Sequence, residues 1–199
     1  MSEFVLHKYS GMAYEPNQVI TFPSQSETLS DIDEEMKSHV GVSSVRVSGL
    51  TQKEFDYFIE NYGDNFDSIY FMHNTKVKNL SALSHLKKVQ YLLFFNIRSD
   101  SLWDMRKNKS LKGIMISESR KMLYDLEQLQ YAPNLEELLL FSSTFNKYPV
   151  KTILPLKNCK HLKRLFIEFN TEDKSFSPME FDFLDVFKYQ CDRKRNFTY

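Results

Sequence analysis

The chain has 199 residues, 42% of them hydrophobic and 26% charged, and its 26 Lys and Arg balance its 26 Asp and Glu. That length suits one domain with a buried core that needs no disulfide staples, and the composition excludes intrinsic disorder. The charge balance argues against nucleic acid or an anionic membrane as partner, since residues 1–99 hold 12 acidic and 9 basic groups and residues 100–199 hold 14 and 17. Glycine is scarce at 5, which argues against Gly-rich phosphate loops, and the two cysteines, Cys159 and Cys191, read as free thiols.

The opening stretch "MSEFVLHKYSGMAYEP" lacks a basic region followed by an apolar run, so no signal peptide is expected and the cytoplasm is the expected compartment. "EFVLHKY" (3–9) and "NQVITFP" (17–23) read as short strands. "SDIDEEMKSH" (30–39) reads as a helix with Ser30 as its N-cap. "LTQKEFDYFIENYG" (50–63) reads as a helix with Phe55, Phe58, Ile59 and Tyr62 on one face. Leu80, Leu83 and Leu86 recur every three residues, as on a tight helical turn. The basic residues at 106, 107, 109 and 112, near Trp103, read as a polar loop. Residues 123–133 read as a helical segment with Leu123, Leu126, Leu129 and either Tyr131 or Ala132 inward, stopped by Pro133. Residues 144–161, with Pro149 and Pro155, read as irregular. In the last 23 residues Phe181, Phe183, Leu184 and Phe187 read as cap contacts, and Arg193–Arg195 as a solvated tail.

Between these elements one pattern returns, apolar-x-x-apolar-x-apolar. It occurs at Val42/Val45/Val47, Phe66/Ile69/Phe71, Val89/Leu92/Phe94, Leu111/Ile114/Ile116, Leu135/Leu138/Leu140 and Leu162/Leu165/Ile167. Such a period marks a solenoid, whose coils bury their apolar sides only by stacking on neighbours. The pattern resembles the leucine-rich repeat L-x-x-L-x-L-x-x-N, with Asn74 and Asn170 at the terminal position and Asn96 one place early. Leu50, Ser119 and Ser143 replace that Asn, so irregular turns are expected there. The short returns resemble bacterial internalin-type and related intracellular leucine-rich proteins. The resemblance implies an α/β solenoid, a short horseshoe with a parallel concave sheet and helical or irregular convex returns. Residues 1–40 and 171–199 would cap six repeats in residues 41–170. It also implies a non-enzymatic module that binds one macromolecular partner, with a toxin-neutralising or adaptor role as an extension.

Alternation along each strand then sorts the residues by face. Ser44, Ser68, Tyr91, Gly113, Glu137 and Arg164 form one flank of the concave face. Arg46, Tyr70, Leu93, Met115, Leu139 and Phe166 form its centre. Ser48, Met72, Phe95, Ser117, Phe141 and Glu168 form the other flank. The eight large apolar groups would expose roughly 500–800 Å², at or above what an uncommitted monomer leaves bare. Three coverings are open: a partner protein or peptide, a second copy, or the chain's own terminal segments, residues 1–30 above all. The candidate partner-binding residues are Arg46, Tyr70, Met72, Tyr91, Leu93, Phe95, Met115, Glu137, Leu139, Phe141, Arg164, Phe166 and Glu168. Arg46, Glu137, Arg164 and Glu168 would form a polar rim.

Chemistry is otherwise thinly marked. His7, His39, His73 and His85 have no metal-ligand spacing, and "DIDEE" (31–35) lacks the Gly of a calcium loop, so no cofactor is expected. Cys159 and His161 are the remaining candidates for a nucleophilic pair. They would serve a hydrolase only if in contact with each other and with an orienting third group.

Overall fold

The computed structural model describes residues 4–10, 18–21, 29–142, 149–173, 177–190 and 197–198. They form one nine-stranded sheet ordered as in the sequence: β1 (Val19–Thr21), β2 (Ser44–Ser48), β3 (Ser68–Met72), β4 (Tyr91–Phe95), β5 (Gly113–Ser117), β6 (Glu137–Phe141), β7 (Arg164–Glu168), β8 (Val186–Gln190) and β9 (Phe197–Thr198). β1 to β8 are parallel, and β9 turns back antiparallel on β8. Each strand follows its neighbour by one coil, so the chain is an α/β solenoid. The six expected strands are present, and their registers align the three columns residue for residue: Ser68, Tyr70 and Met72 lie beside Tyr91, Leu93 and Phe95, and so on to Arg164, Phe166 and Glu168.

The core lies between the sheet and the returns. Val45, Ile69, Leu92, Ile114, Leu138 and Leu165 line it from the strands, and Leu80, Leu83 and Leu86 are buried from a short 3₁₀ return. Helix α3, here Gln52–Tyr62, is the longest helix among the described residues. Thr51 caps it, accepting from the Glu54 N–H while the Glu54 carboxylate accepts from the Thr51 N–H. Its Phe55, Phe58 and Ile59 are buried, and Tyr62 packs partly against them. Residues 122–131 form two 3₁₀ turns, with Ala132 inward and Tyr131 outward.

Two devices hold the coils in step. The chain leaves several strands through a residue of positive φ, namely Gly49, His73, Asn96 and Glu118. The three non-glycine residues accept a cost of about 1 kcal/mol each. In return His73, Asn96 and Glu118 each donate their N–H to the last strand residue of the next coil. Inside the turn, Asn74 accepts from the Leu50 N–H (2.8 Å) and donates to the Val47 carbonyl (2.9 Å). Ser119 makes one bond of the same kind, accepting from the Ile97 N–H of the preceding coil, and donates within its own coil to the Ser117 carbonyl, both at 2.9 Å. The turn expected to be irregular at Ser119 is therefore regular, because a hydroxyl supplies the same donor and acceptor as the amide.

Four further expectations need correction. Residues 5–6 form a turn and His7–Ser10 a single helical turn, α1, where a strand was expected. The acidic helix α2 (Ser30–Lys37) has Leu29 at its N-cap, and Ser30 is its first helical residue. Phe183 is exposed, unlike Phe181, Leu184 and Phe187. The last repeat is a full parallel strand rather than cap contacts alone: Leu184-x-x-Phe187-x-Tyr189 is a seventh copy of the motif, 22 residues after Leu162. Ser143, Cys191 and the basic run at 193–195 lie outside the described residues. Among the described residues, no helix is long and apolar enough to cross a membrane.

Candidate functional site on the second face of the sheet

The sheet face turned away from the core carries a second apolar cluster. Tyr70, Leu93, Met115 and Leu139 lie side by side across β3 to β6, and Phe4 and Leu6 lie on top of them. Leu93 and Leu139 have no exposed surface. Four of the six central residues, Tyr70, Leu93, Met115 and Leu139, are thus covered, and their expected exposure is corrected: residues 4–10 of the chain itself lie over them. The alternation rule assigned the face correctly. It carried no information on what lay above.

A carboxylate fixes this strap. Glu137, expected at a solvated rim, is 2% exposed. Its Oε1 accepts from the Val5 N–H (3.2 Å) and from Arg164 Nε (2.7 Å), and its Oε2 accepts from the Leu6 N–H (3.1 Å). A buried carboxylate is tolerable when its lone pairs are answered in this way. The strap closes on itself through bonds from the His7, Lys8, Tyr9 and Ser10 N–H groups to carbonyls at 4–6. Tyr9 packs its ring 5.1 Å from that of Tyr91. Gly113 makes the floor low enough for Leu6, since a Cβ there would lie 2.7 Å from Tyr91 Cδ1 and 3.1 Å from Leu6 Cγ. Burial raises the phenols of Tyr70, Tyr91 and Tyr9 above the usual tyrosine range, with Glu137 adding to the effect on Tyr91 and Asp67 to that on Tyr9.

The strap covers only part of the face. Met72, Phe95, Phe141 and Phe166 are half-buried beside it, with Phe141 and Phe166 edge to face at 5.1 Å. Arg46 and Arg164 are also half-buried, and Glu168 is exposed. The thirteen candidate residues therefore fall into a covered centre and a partly open margin.

Cys159 is buried, and desolvation pushes its thiol up to about 12, whereas His161 is exposed. A thiol in that state is a poor nucleophile. In a Cys191→Ser chain, an aromatic disulfide reagent at pH 8 is expected to label Cys159 only after denaturant is added; prompt labelling of the folded chain would revive the hydrolase reading. Trp103 is buried and donates to Asn108, while Arg106 pairs with Asp104 and lies over the Tyr131 ring. Asp33 accepts from Tyr62 (2.5 Å) and Tyr57 (2.9 Å), which lowers its own pKa and pushes Tyr62 up to about 12. Among the described residues, no group of three or more His, Cys, Asp or Glu is placed to hold a metal ion.

No family model matches the sequence, and no curated protein matches it. Among solved structures the fold is similar to that of an internalin (inlF) from Listeria monocytogenes, with a TM-score of 0.54 and 12% identity. The likeness covers 78% of this chain and 42% of the internalin's, so the chain spans less than half of that neighbour's length. At that identity the likeness is one of fold: a leucine-rich-repeat-like solenoid.

Proposed function

We propose that the chain is a non-enzymatic protein-binding module and that its partner docks on the second face of the sheet with an apolar segment. One observation carries this reading. Met72, Phe95, Phe141 and Phe166 stay partly exposed beside the strap, on strands whose ladder fixes their spacing. Aromatic side chains held on a rigid frame are the usual anchors of a protein interface, since they bury much area for little lost freedom. Arg46 and Glu168 supply a charged edge to that patch. The fold by itself does not decide function, because one scaffold serves many.

The test uses a partner recovered by affinity capture, then purified and titrated. Phe95→Glu with Phe141→Glu is expected to weaken binding at least about thirtyfold, or about 2 kcal/mol, while the fold stays intact by circular dichroism. Unchanged affinity in the folded double variant removes this face as the docking surface. Leu93 and Leu139 are unsuited to the test, since both are buried and a charge at either would disturb the packing itself.

The strap also favours a second reading, a self-sealed repeat protein with no partner on this face. That reading expects a monomer by light scattering that binds no dye for exposed apolar surface.

A further inference from the structure

Three features of the covered trough define what it accepts. Glu137 is a buried carboxylate in a flank whose preceding members are Ser44, Ser68, Tyr91 and Gly113. Arg164 answers one of its oxygens, and the strap's main-chain N–H groups answer both. Every residue but proline carries such an N–H, so the carboxylate selects a backbone shape, two consecutive free amides, rather than a particular side chain. Gly113 leaves room for the Tyr91 ring and for Leu6, both of which a Cβ would crowd. The apolar surface then runs on past the strap to Phe141 and Phe166.

We infer that residues 4–10 are an intramolecular stand-in for the segment this face takes from its partner. That segment would be a tight turn with two consecutive free amides for Glu137 and an aromatic and an aliphatic side chain two residues apart, as in Phe4 and Leu6. It would add further apolar groups for Phe141 and Phe166. This inference rests on the reading of the face as a docking surface, and it adds regulation to it. Partner affinity is reduced by the fraction of molecules whose strap is in place. The strap adds no strand to the sheet, so it leaves without breaking the ladder. A ligand that matches the strap and also covers the margin displaces it by the extra area.

Two measurements test this without any partner. Hydrogen exchange on the full chain is expected to show the Val5 and Leu6 amides opening at a rate insensitive to low denaturant, while the Leu138 amide exchanges only with global unfolding. Leu6 and Leu138 exchanging together would make the strap a cooperative part of the core and overturn the inference. The second probe is a fluorescein-labelled, N-acetylated peptide of residues 2–11. It is expected to bind a full chain carrying Phe4→Ser and Leu6→Ser at least tenfold more tightly than it binds the unmodified chain. Adding Glu137→Gln is expected to remove most of that gain. Equal affinity for the two chains overturns the inference. If partner binding still depends on Phe95 and Phe141 while the strap never opens, the docking reading stands and the stand-in falls. If the strap opens and the peptide binds while the Phe95→Glu, Phe141→Glu chain keeps its partner, the docking reading falls and the stand-in falls with it.

Discussion

Glu137→Ala is expected to cost about 2–4 kcal/mol of stability and to release residues 4–10 from the sheet. The substitution removes the acceptor of one buried and one part-buried N–H group and the ion-pair partner of Arg164, whose side chain is 19% exposed. Two routes limit the loss. Arg164 turns toward water, and the strap lifts so that its amides are hydrated. The second route uncovers Tyr70, Leu93, Met115 and Leu139, so the variant is expected to bind more apolar dye than the unmodified chain. Glu137→Gln keeps an acceptor but loses the charge, and is expected to fall about midway. Denaturant unfolding read by circular dichroism checks the order Glu, Gln, Ala, and a lower slope for Ala would report surface already exposed in its native state. An Ala variant within about 0.5 kcal/mol of the unmodified chain, with the Leu6 amide still protected, would mean that Phe4 and Leu6 hold the strap unaided.

The contrast between stripe and strap shows which parts of this fold are written locally. The three columns on the second face follow from alternation once the motif fixes the inward residues, and the ladder pairs them as expected from Ser44–Ser48 through Arg164–Glu168. The seventh copy was equally legible in its spacing. It was hidden because Asp182 and Asp185 flank its leucine and Lys188 holds its central column, so the stretch looks like a polar cap rather than an apolar stripe. The strap was not legible. "EFVLHKY" has the composition of a strand, yet its partner carboxylate lies 131 and 132 residues away. So short a segment takes the conformation that tertiary contacts impose, and nothing in its own seven residues announces a helical turn. Glu137 misled for a related reason: a charge on a sheet face reads as solvated until the donors that bury it are known.

Phe94→Ala is expected to be the most damaging single substitution in the central coils, at about 3–5 kcal/mol. Phe94 has no exposed surface, stacks on Phe71 (centroids 5.6 Å apart, planes at 15°) and leans on Trp103 at 5.9 Å. The loss is that of a ring that bridges coils. In a solenoid each coil is stabilised by its two neighbours, so a defect at β4 weakens both interfaces and uncouples the coils before it from those after it. The unfolding curve is therefore expected to split into two transitions, with α3 melting apart from the β5–β8 half. Phe187, equally buried but in the last parallel strand, gives the control. Phe187→Ala is expected to fray one end and leave a single main transition. Phe94→Leu keeps most of the volume and is expected to cost less than about 1.5 kcal/mol with cooperativity retained. Calorimetry on the three variants separates the cases. One sharp transition for Phe94→Ala, shifted no further than that of Phe187→Ala, would mean that the coils do not transmit stability through this ring. The stacked aromatics would then be fillers of separate compartments.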